Sequence, residues 1–376
     1  MPGNRSTTAR TSAYVSQLSL ENFSAFSEGS FSFSPGINVL LGENGSGKTH
    51  LMKLIYSCLY IKNSFGLEYL GKRIVPEKAA VANAIESKLM GVFRPAHLGR
   101  LATRRQGKAG SVKIDLTFSD NASMAFGFGQ TKKEARIDIR KTPGWQIHSE
   151  NELTTPIFLP TKEVLSLFPG FGNLLKLYDV PFSEVYGDVV EQLQTPLQRG
   201  PATDLSKKLL KNFKDLKLNV SFDKNEQKFK VESLGKKLEA TLTSEGIRKL
   251  AVLLYLIRNG TLSGNSVLFW DEPEANLNPK WTEPIIKFLF ELANEGVQIF
   301  IATHDYLFIR LLSLEAEFQH KNKLTPDIQF FNFIVDKKDK NKVSFEKSGN
   351  IFDFEEVPIL DYYQEFFRKE RAYYAE

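Results

Sequence analysis

The chain has 376 residues, 42% hydrophobic and 25% charged, which is the balance of a folded globular protein and excludes disordered and fibrous classes. Its longest apolar runs, Leu250–Ile257 and Val267–Trp270, are too short to cross a bilayer, and its single cysteine, Cys58, cannot form an internal disulfide, so a reducing cytoplasm is the expected compartment. A net charge of +5 is a weak pointer to anionic partners, and residues 1–13, polar and free of acids, read as a flexible terminus rather than a secretory signal.

Tyr14–Leu20 alternates and predicts a strand, and Glu21–Ser34, with Phe23, Phe26, Phe31 and Phe33, predicts a continuation of it. Pro35-Gly36 turns the chain into a buried strand over Ile37–Leu41, followed by a glycine-rich loop and a helix over Thr49–Ile61. Val112–Phe118, Met124–Phe128 and Ala135–Arg140 predict a small antiparallel sheet, and Pro156–Leu159 one more strand. Residues 161–216 are mostly helical in pattern, interrupted at Pro169, Pro181 and Pro196, before a hairpin of Asn219–Phe222 with Lys228–Glu232. An α/β rhythm then returns: a helix over Ile247–Ile257, a strand over Val267–Trp270, a helix over Pro284–Ala293 and a strand over Val297–Ala302. Asp353–Glu376 predicts an amphipathic helix whose aromatic residues pack on the core or on a partner.

Two segments carry chemistry. Gly42-Glu43-Asn44-Gly45-Ser46-Gly47-Lys48-Thr49 fits G-x-x-x-x-G-K-[ST] between a strand and a helix. Gly42, Gly45 and Gly47 let backbone N–H groups around Asn44 and Ser46 turn inward onto phosphates, and the helix N-terminus adds positive potential. Lys48 supplies a point charge for the β- and γ-phosphates of ATP, and Thr49 a hydroxyl for Mg²⁺. Val267–Trp270 then delivers two adjacent carboxylates, Asp271 for the Mg²⁺ shell and Glu272 as the base for an attacking water.

These segments resemble ABC-type ATPases. Asp271-Glu272-Pro273 matches their Walker B, Leu242-Thr243-Ser244-Glu245-Gly246 their signature, and Ile299–His304 the strand that ends in their switch histidine. Within that group the chain is similar to the SMC/RecF/OLD-like branch, through Glu21-Asn22-Phe23, the Ile37–Lys48 run and Asp271-Glu272-Pro273-Glu274-Ala275-Asn276-Leu277-Asn278-Pro279. The resemblance implies an α/β P-loop NTPase fold, an ABC-ATPase head with an antiparallel β-subdomain and an inserted helical subdomain. It divides the chain into a nucleotide-binding core, 14–61 and 236–335, a β/helical insert, 62–235, and a C-terminal extension, 336–376. It also implies a homodimer that sandwiches ATP, with Ser244 and Gly246 closing the site of the opposite copy and His304 acting on the γ-phosphate in its own. Asn276 and Asn278 would lie in the loop that touches the partner's site. Three features depart from the pattern. Glu245 and Asn278 replace the Gly and Asp usual elsewhere, and no glutamine follows Pro156–Leu159, where Thr161 or Glu163 stands instead.

The stretch Ser87–Lys113 holds Lys88, Arg94, Arg100, Arg104, Arg105, Lys108 and Lys113 and no acid, which fits DNA or RNA phosphates, a lid over nucleotide phosphates, or an inert solvated surface. Only Phe93 interleaves, so base stacking is not suggested. The expected function is an ATPase acting on or near nucleic acid, of a DNA-repair or phage-defence (antiviral) kind. The alternative is a regulatory ATPase that controls a separate effector protein such as a nuclease. No acid cluster of a phosphodiesterase follows His304, and Asp336–Lys342 reads as a charged turn, so any cleavage would come from another chain. A transporter subunit fits less well because of the Asp271–Pro279 run, and a non-hydrolysing binding module leaves Glu272 without a purpose.

Overall fold

A computed structural model describes residues 13–70, 76–103, 110–141, 153–168, 170, 171, 174, 177, 178, 180–199, 201–321, 327–336 and 343–375. Residues 1–12 of the expected flexible terminus, Arg104, Arg105 and Lys108 of the basic stretch, and 337–342 of the expected charged turn lie outside them.

The centre is a six-stranded sheet in the order β14-β13-β3-β12-β11-β7, formed by β3 (Ile37–Gly42), β7 (Thr155–Leu159), β11 (Ser266–Asp271), β12 (Gln298–Thr303), β13 (Ile328–Val335) and β14 (Val343–Ser348). All neighbours pair in parallel except β14, which runs antiparallel on one edge. Strands β3, β11 and β12 are buried along their whole length, as their unbroken apolar runs require when both faces are covered. Alternation then splits each strand between two cores. Leu268 and Trp270 join Ile299, Ile301, Val39 and Leu41 in one, while Val267 and Phe269 join Phe300, Ala302 and Leu40 in the other.

The second core is closed by helix α1 (Lys48–Glu68) and by a five-stranded antiparallel sheet, β2-β1-β4-β5-β6. Its strands are β1 (Val15–Phe23), β2 (Phe26–Ser32), β4 (Val112–Phe118), β5 (Ser123–Phe128) and β6 (Asp138–Lys141). Because β4 pairs along β1, this sheet crosses residue 62, the expected start of the insert, and β7 carries residues 155–159 into the central sheet. The first core is covered by helices over Glu245–Arg258, Thr282–Asn294 and Tyr306–Lys321 and by a three-stranded sheet, β8 (Asn219–Asp223), β9 (Lys228–Ser233) and β10 (Lys236–Glu239). No helix among the described residues is long and apolar enough to cross a membrane.

One expectation changes within the basic stretch: Arg94 and Arg100 are exposed, but Ser87–Phe93 is the end of a helix, Lys78–Phe93, and Lys88 is 4% exposed. Its ammonium meets Glu184 at 2.7 Å and Asp188 at 2.8 Å, both on helix Glu184–Gln192, and Tyr56 donates its hydroxyl to Asp188 at 2.6 Å. A helix places residue 88 on the same face as the apolar Val81, Ile85 and Val92, so it turns inward whatever its charge. Lys113 is spent on Glu21, 2.6 Å away. The tail is helical, as expected. Helix Pro358–Ala375 stacks Tyr363 on Tyr306 at 4.4 Å, but Tyr362, Phe366, Tyr373 and Tyr374 are exposed, since one helix face is all that the core can cover.

Replacing Lys88 with Met should lower the unfolding free energy by about 3 kcal/mol, measured by urea denaturation, because two carboxylates lose the cation that compensates their burial.

Candidate functional site

Strand β3 ends at Gly42, and the loop Glu43–Gly47 carries the chain into α1, which starts at Lys48 with its N-terminus against the loop. Gly47 sits at φ 93°, and a Cβ there would stand 2.8 Å from the Phe26 ring. The β1–β2 hairpin therefore presses directly on the phosphate loop, and only glycine fits both the backbone and the space. Asn44 and Gly45 are exposed at the loop tip, Ser46 is buried, and the Ser46 N–H donates to the Glu43 carbonyl at 3.3 Å. Lys48 is 7% exposed and donates to the carbonyls of Gly42 at 2.7 Å and Glu43 at 2.9 Å. Burial pulls its ammonium below the usual lysine range, an effect opposed by Asp271 and Glu272.

Asp271 arrives at the end of β11 beside that loop. The Thr49 hydroxyl donates to its carboxylate at 3.0 Å, closing a contact over 222 residues of chain. Burial raises the Asp271 carboxyl above its ordinary value, against the Thr49 hydrogen bond. A hydroxyl and a carboxylate converging in this way are two hard oxygen donors. They suit Mg²⁺, which takes one or two protein oxygens and completes its shell with water and phosphate.

Glu272 follows in the left-handed region at φ 51° and donates its N–H to the Ala302 carbonyl at 2.9 Å. Its Oε1 lies 3.1 Å from His304 Nδ1, so base and switch histidine, read separately in the sequence, are in contact. Thr303 beside them donates to Glu274 at 2.6 Å and accepts the Asp305 N–H at 3.1 Å, which ties the β12 end to the turn after β11. Burial raises the Glu274 carboxyl to about 7, against that hydrogen bond.

Ser244 and Gly246 belong to a different face. Ser244 is exposed ahead of helix Glu245–Arg258, and no hydrogen bond among the described residues joins either residue to the phosphate loop. Gly246 meets the turn after β11 instead: a Cβ there would stand 2.7 Å from the Asn276 carbonyl. Asn276, at φ 63°, and Asn278, whose side chain accepts the Lys280 N–H, are exposed on that turn. Of the two residues weighed for the missing glutamine, Glu163 is buried and paired at 2.7 Å with Arg248, so the signature helix holds it; Thr161 is half-buried.

Four residues escaped sequence reasoning. Lys249 is 4% exposed and donates to the Ala275 carbonyl at 2.9 Å and the Glu272 carbonyl at 3.4 Å. Glu274 is the half-buried acid just described. Lys53, one helical turn past Thr49, acts on Asp271, and burial lowers its ammonium despite that carboxylate. His50 lies 2.6 Å from the Ser24 hydroxyl and meets the Phe93 ring edge-on at 5.2 Å. The i, i+4 spacing from Thr49 was a legible signal for Lys53, while nothing local marked Lys249.

A carboxyl raised from 4.5 to about 7 on folding binds more protons folded than unfolded between those values, so its contribution to stability falls as pH rises through that window. Glu274→Gln should remove this term. The variant should gain roughly 2 kcal/mol relative to the parent between pH 5 and 8, read from unfolding midpoints across a pH series.

Comparison with known proteins gives the chain its relatives. The family model described as "AAA domain, putative AbiEii toxin, Type IV TA system" matches residues 117–310, just over half of the chain, including Ser244, Asp271, Glu272 and His304. A DNA replication and repair protein RecF of Staphylococcus haemolyticus is 24% identical over 265 residues, 69% of this chain and 66% of that protein. Two RecF proteins match over shorter stretches, that of Azobacteroides pseudotrichonymphae at 48% over 50 residues and that of Cytophaga hutchinsonii at 50% over 52, so the chain spans only 14% of either relative. Among solved structures, a Smc head domain of Pyrococcus furiosus with an extended coiled coil, bound to the C-terminal domain of ScpA, superposes with a TM-score of 0.53 at 10% identity, covering 96% of this chain and all of that one. An SmcHead bound to the C-winged helix domain of ScpA gives 0.52 at 11%, covering 89% and 97%. The chain belongs to the AAA domain, putative AbiEii toxin family, and its fold is that of an ABC-type P-loop head, as in the Smc head domains.

Proposed function

We propose that the chain hydrolyses Mg-ATP at a site shared by two copies of itself, and that this turnover is coupled to nucleic acid. The observation that carries the first part is the Thr49–Asp271 contact, which sets a Mg²⁺ donor pair beside the buried Lys48 and the Glu272–His304 pair. Thr49 and Asp271 would hold Mg²⁺ there, which would supply positive charge to neutralise the phosphate oxygens as the transition state forms. Lys48 would exchange its loop carbonyls for phosphate oxygens, keeping its charge in a dry setting where electrostatic stabilisation is strong. Glu272 accepts the proton of the attacking water as the γ-phosphorus bond to the ADP oxygen breaks, and His304, in contact with that carboxylate, fixes its direction. Ser244, exposed ahead of its helix and without a hydrogen bond to its own loop among the described residues, suits closure of a second copy's site, with Gly246 buried behind it.

The nucleic-acid part rests on charge. Residues 205–237 hold ten lysines against four acids, a surplus greater than the +5 of the whole chain. Lys211, Lys214, Lys217, Lys224, Lys236 and Lys237 are exposed, with no ion pair among the described residues. The Leu234 N–H donates to the Leu216 carbonyl at 2.8 Å, which ties the residue before Lys217 to the turn that precedes Lys236, and β10 leads in sequence to Ser244. This surface, together with the exposed Arg94 and Arg100 of the basic stretch, is where phosphates would be met, and the RecF relatives, DNA replication and repair proteins, agree with such a partner. Control of a separate effector protein is the second reading, favoured by the ScpA domain carried by the Smc-head neighbours.

Glu272→Gln should cut ATP turnover about 100-fold or more and trap an ATP-dependent dimer, read by phosphate release and by light scattering. A variant with Lys211, Lys214, Lys217 and Lys236 changed to Gln should bind duplex DNA with a shallower salt dependence. The slope of log affinity against log salt should fall by about one for each lysine that meets a phosphate in the parent. DNA that neither binds nor stimulates at low salt would sink the nucleic-acid reading and leave the effector protein.

A further inference from the structure

Lys249 lies in the second turn of the helix that starts after Ser244, enclosed against the turn that follows β11. A lysine at 4% exposure has given up its hydration, and its three N–H donors must be met inside the protein. Those the structure shows go to backbone: the carbonyls of Ala275 and Glu272, on the turn that carries the base at one end and Asn276 at the other. That turn holds Glu272 at φ 51° and Asn276 at φ 63°, conformations that cost a non-glycine residue energy and persist only where the surroundings enforce them. Lys249 enforces them from the helix side and the Thr303–Glu274 hydrogen bond from the β12 side, while Gly246 leaves no space for a side chain between helix and turn.

We propose that Lys249 is a positioning residue of ATP hydrolysis: it locks the helix behind Ser244 to the turn bearing Glu272, so that engagement of Ser244 by the partner copy's nucleotide sets the base over the chain's own. This inference rests on the shared-site reading above. The connection follows from connectivity: Ser244 faces one nucleotide, Glu272 the other, and Lys249 is the charged side chain that hydrogen-bonds from the first element to the backbone of the second. The two sites of a dimer then fire as a pair, and ATP turnover rises more steeply than simple saturation.

The test compares wild type, Lys249→Met and Lys249→Arg, full-length, in three assays: binding of a fluorescent ATP analogue, steady-state ATPase over an ATP series, and melting temperature. Lys249→Met should bind the analogue within about 2-fold of wild type, lose about 10-fold or more in kcat, and reduce a Hill coefficient above 1 to 1. Lys249→Arg, which can still donate to the two carbonyls, should recover the steep ATP dependence. A merely structural lysine would lower melting temperature and active fraction without changing the Hill coefficient. Should the Met variant not fold, the same comparison is made with Lys249→Gln against Arg. Unchanged kcat and Hill coefficient in the Met or Gln variant overturn the proposal. Failure of the underlying reading shows separately, as a Glu272→Gln protein that stays monomeric with ATP.

Discussion

Burying a carboxylate at the end of a parallel strand is costly, and Asp271 bears that cost at 8% exposure. Its charge is tolerated because a Thr49 hydrogen bond and the fields of Lys53 and Lys48 face it, although burial remains the larger effect on its carboxyl. The cations are buried too and are pulled down in turn. The cluster holds acids and bases that each need the others, and a divalent ion with a polyphosphate supplies the charge that best satisfies both. The central sheet exists to hold these strand ends in register. With β11 next to β12 and β12 next to β3, Asp271, Thr303 and Gly42 come to one edge.

The next constraint is conformational. Glu272 turns out of β11 at positive φ, which aims its carboxylate at His304 rather than along the strand direction. Backbone strain of this kind persists only where it is over-determined, and three independent contacts do so here: the Ala302 carbonyl, the Lys249 ammonium and the Thr303–Glu274 bond. One turn thus meets helix Glu245–Arg258 on one side and the end of β12 on the other, so Glu272, Lys249 and Thr303 are tied to the same backbone.

Charge is arranged by the same logic at larger scale. Lysines brought inside are matched one by one, Lys88 by two carboxylates and Lys249 by carbonyls. On the three-stranded sheet Lys228 and Lys230 are paired with carboxylates, while Lys224, Lys236 and Lys237 are exposed with no ion pair among the described residues. A buried cation must be paired and an exposed one need not be, so the solvated lysines of residues 205–237 are those with charge to offer an anionic partner.

The phosphate loop, the Asp271-Glu272 strand end and the His304 strand were legible in the sequence because each is a local pattern, an apolar run ending in fixed residue types. The parallel core was legible for the same reason, since strands covered on both faces read as unbroken hydrophobic stretches. Lys88 was misread because a run of basic residues says nothing about which helix face each occupies, and only packing against Glu184–Gln192 decides that. Lys249 and Glu274 were invisible because their partners are backbone carbonyls and a threonine hydroxyl far along the chain. Local sequence therefore marked the candidate groups of the site. The tertiary structure alone decided which of them are buried together, because burial turns a charge from a solvated ornament into a group that must find a partner.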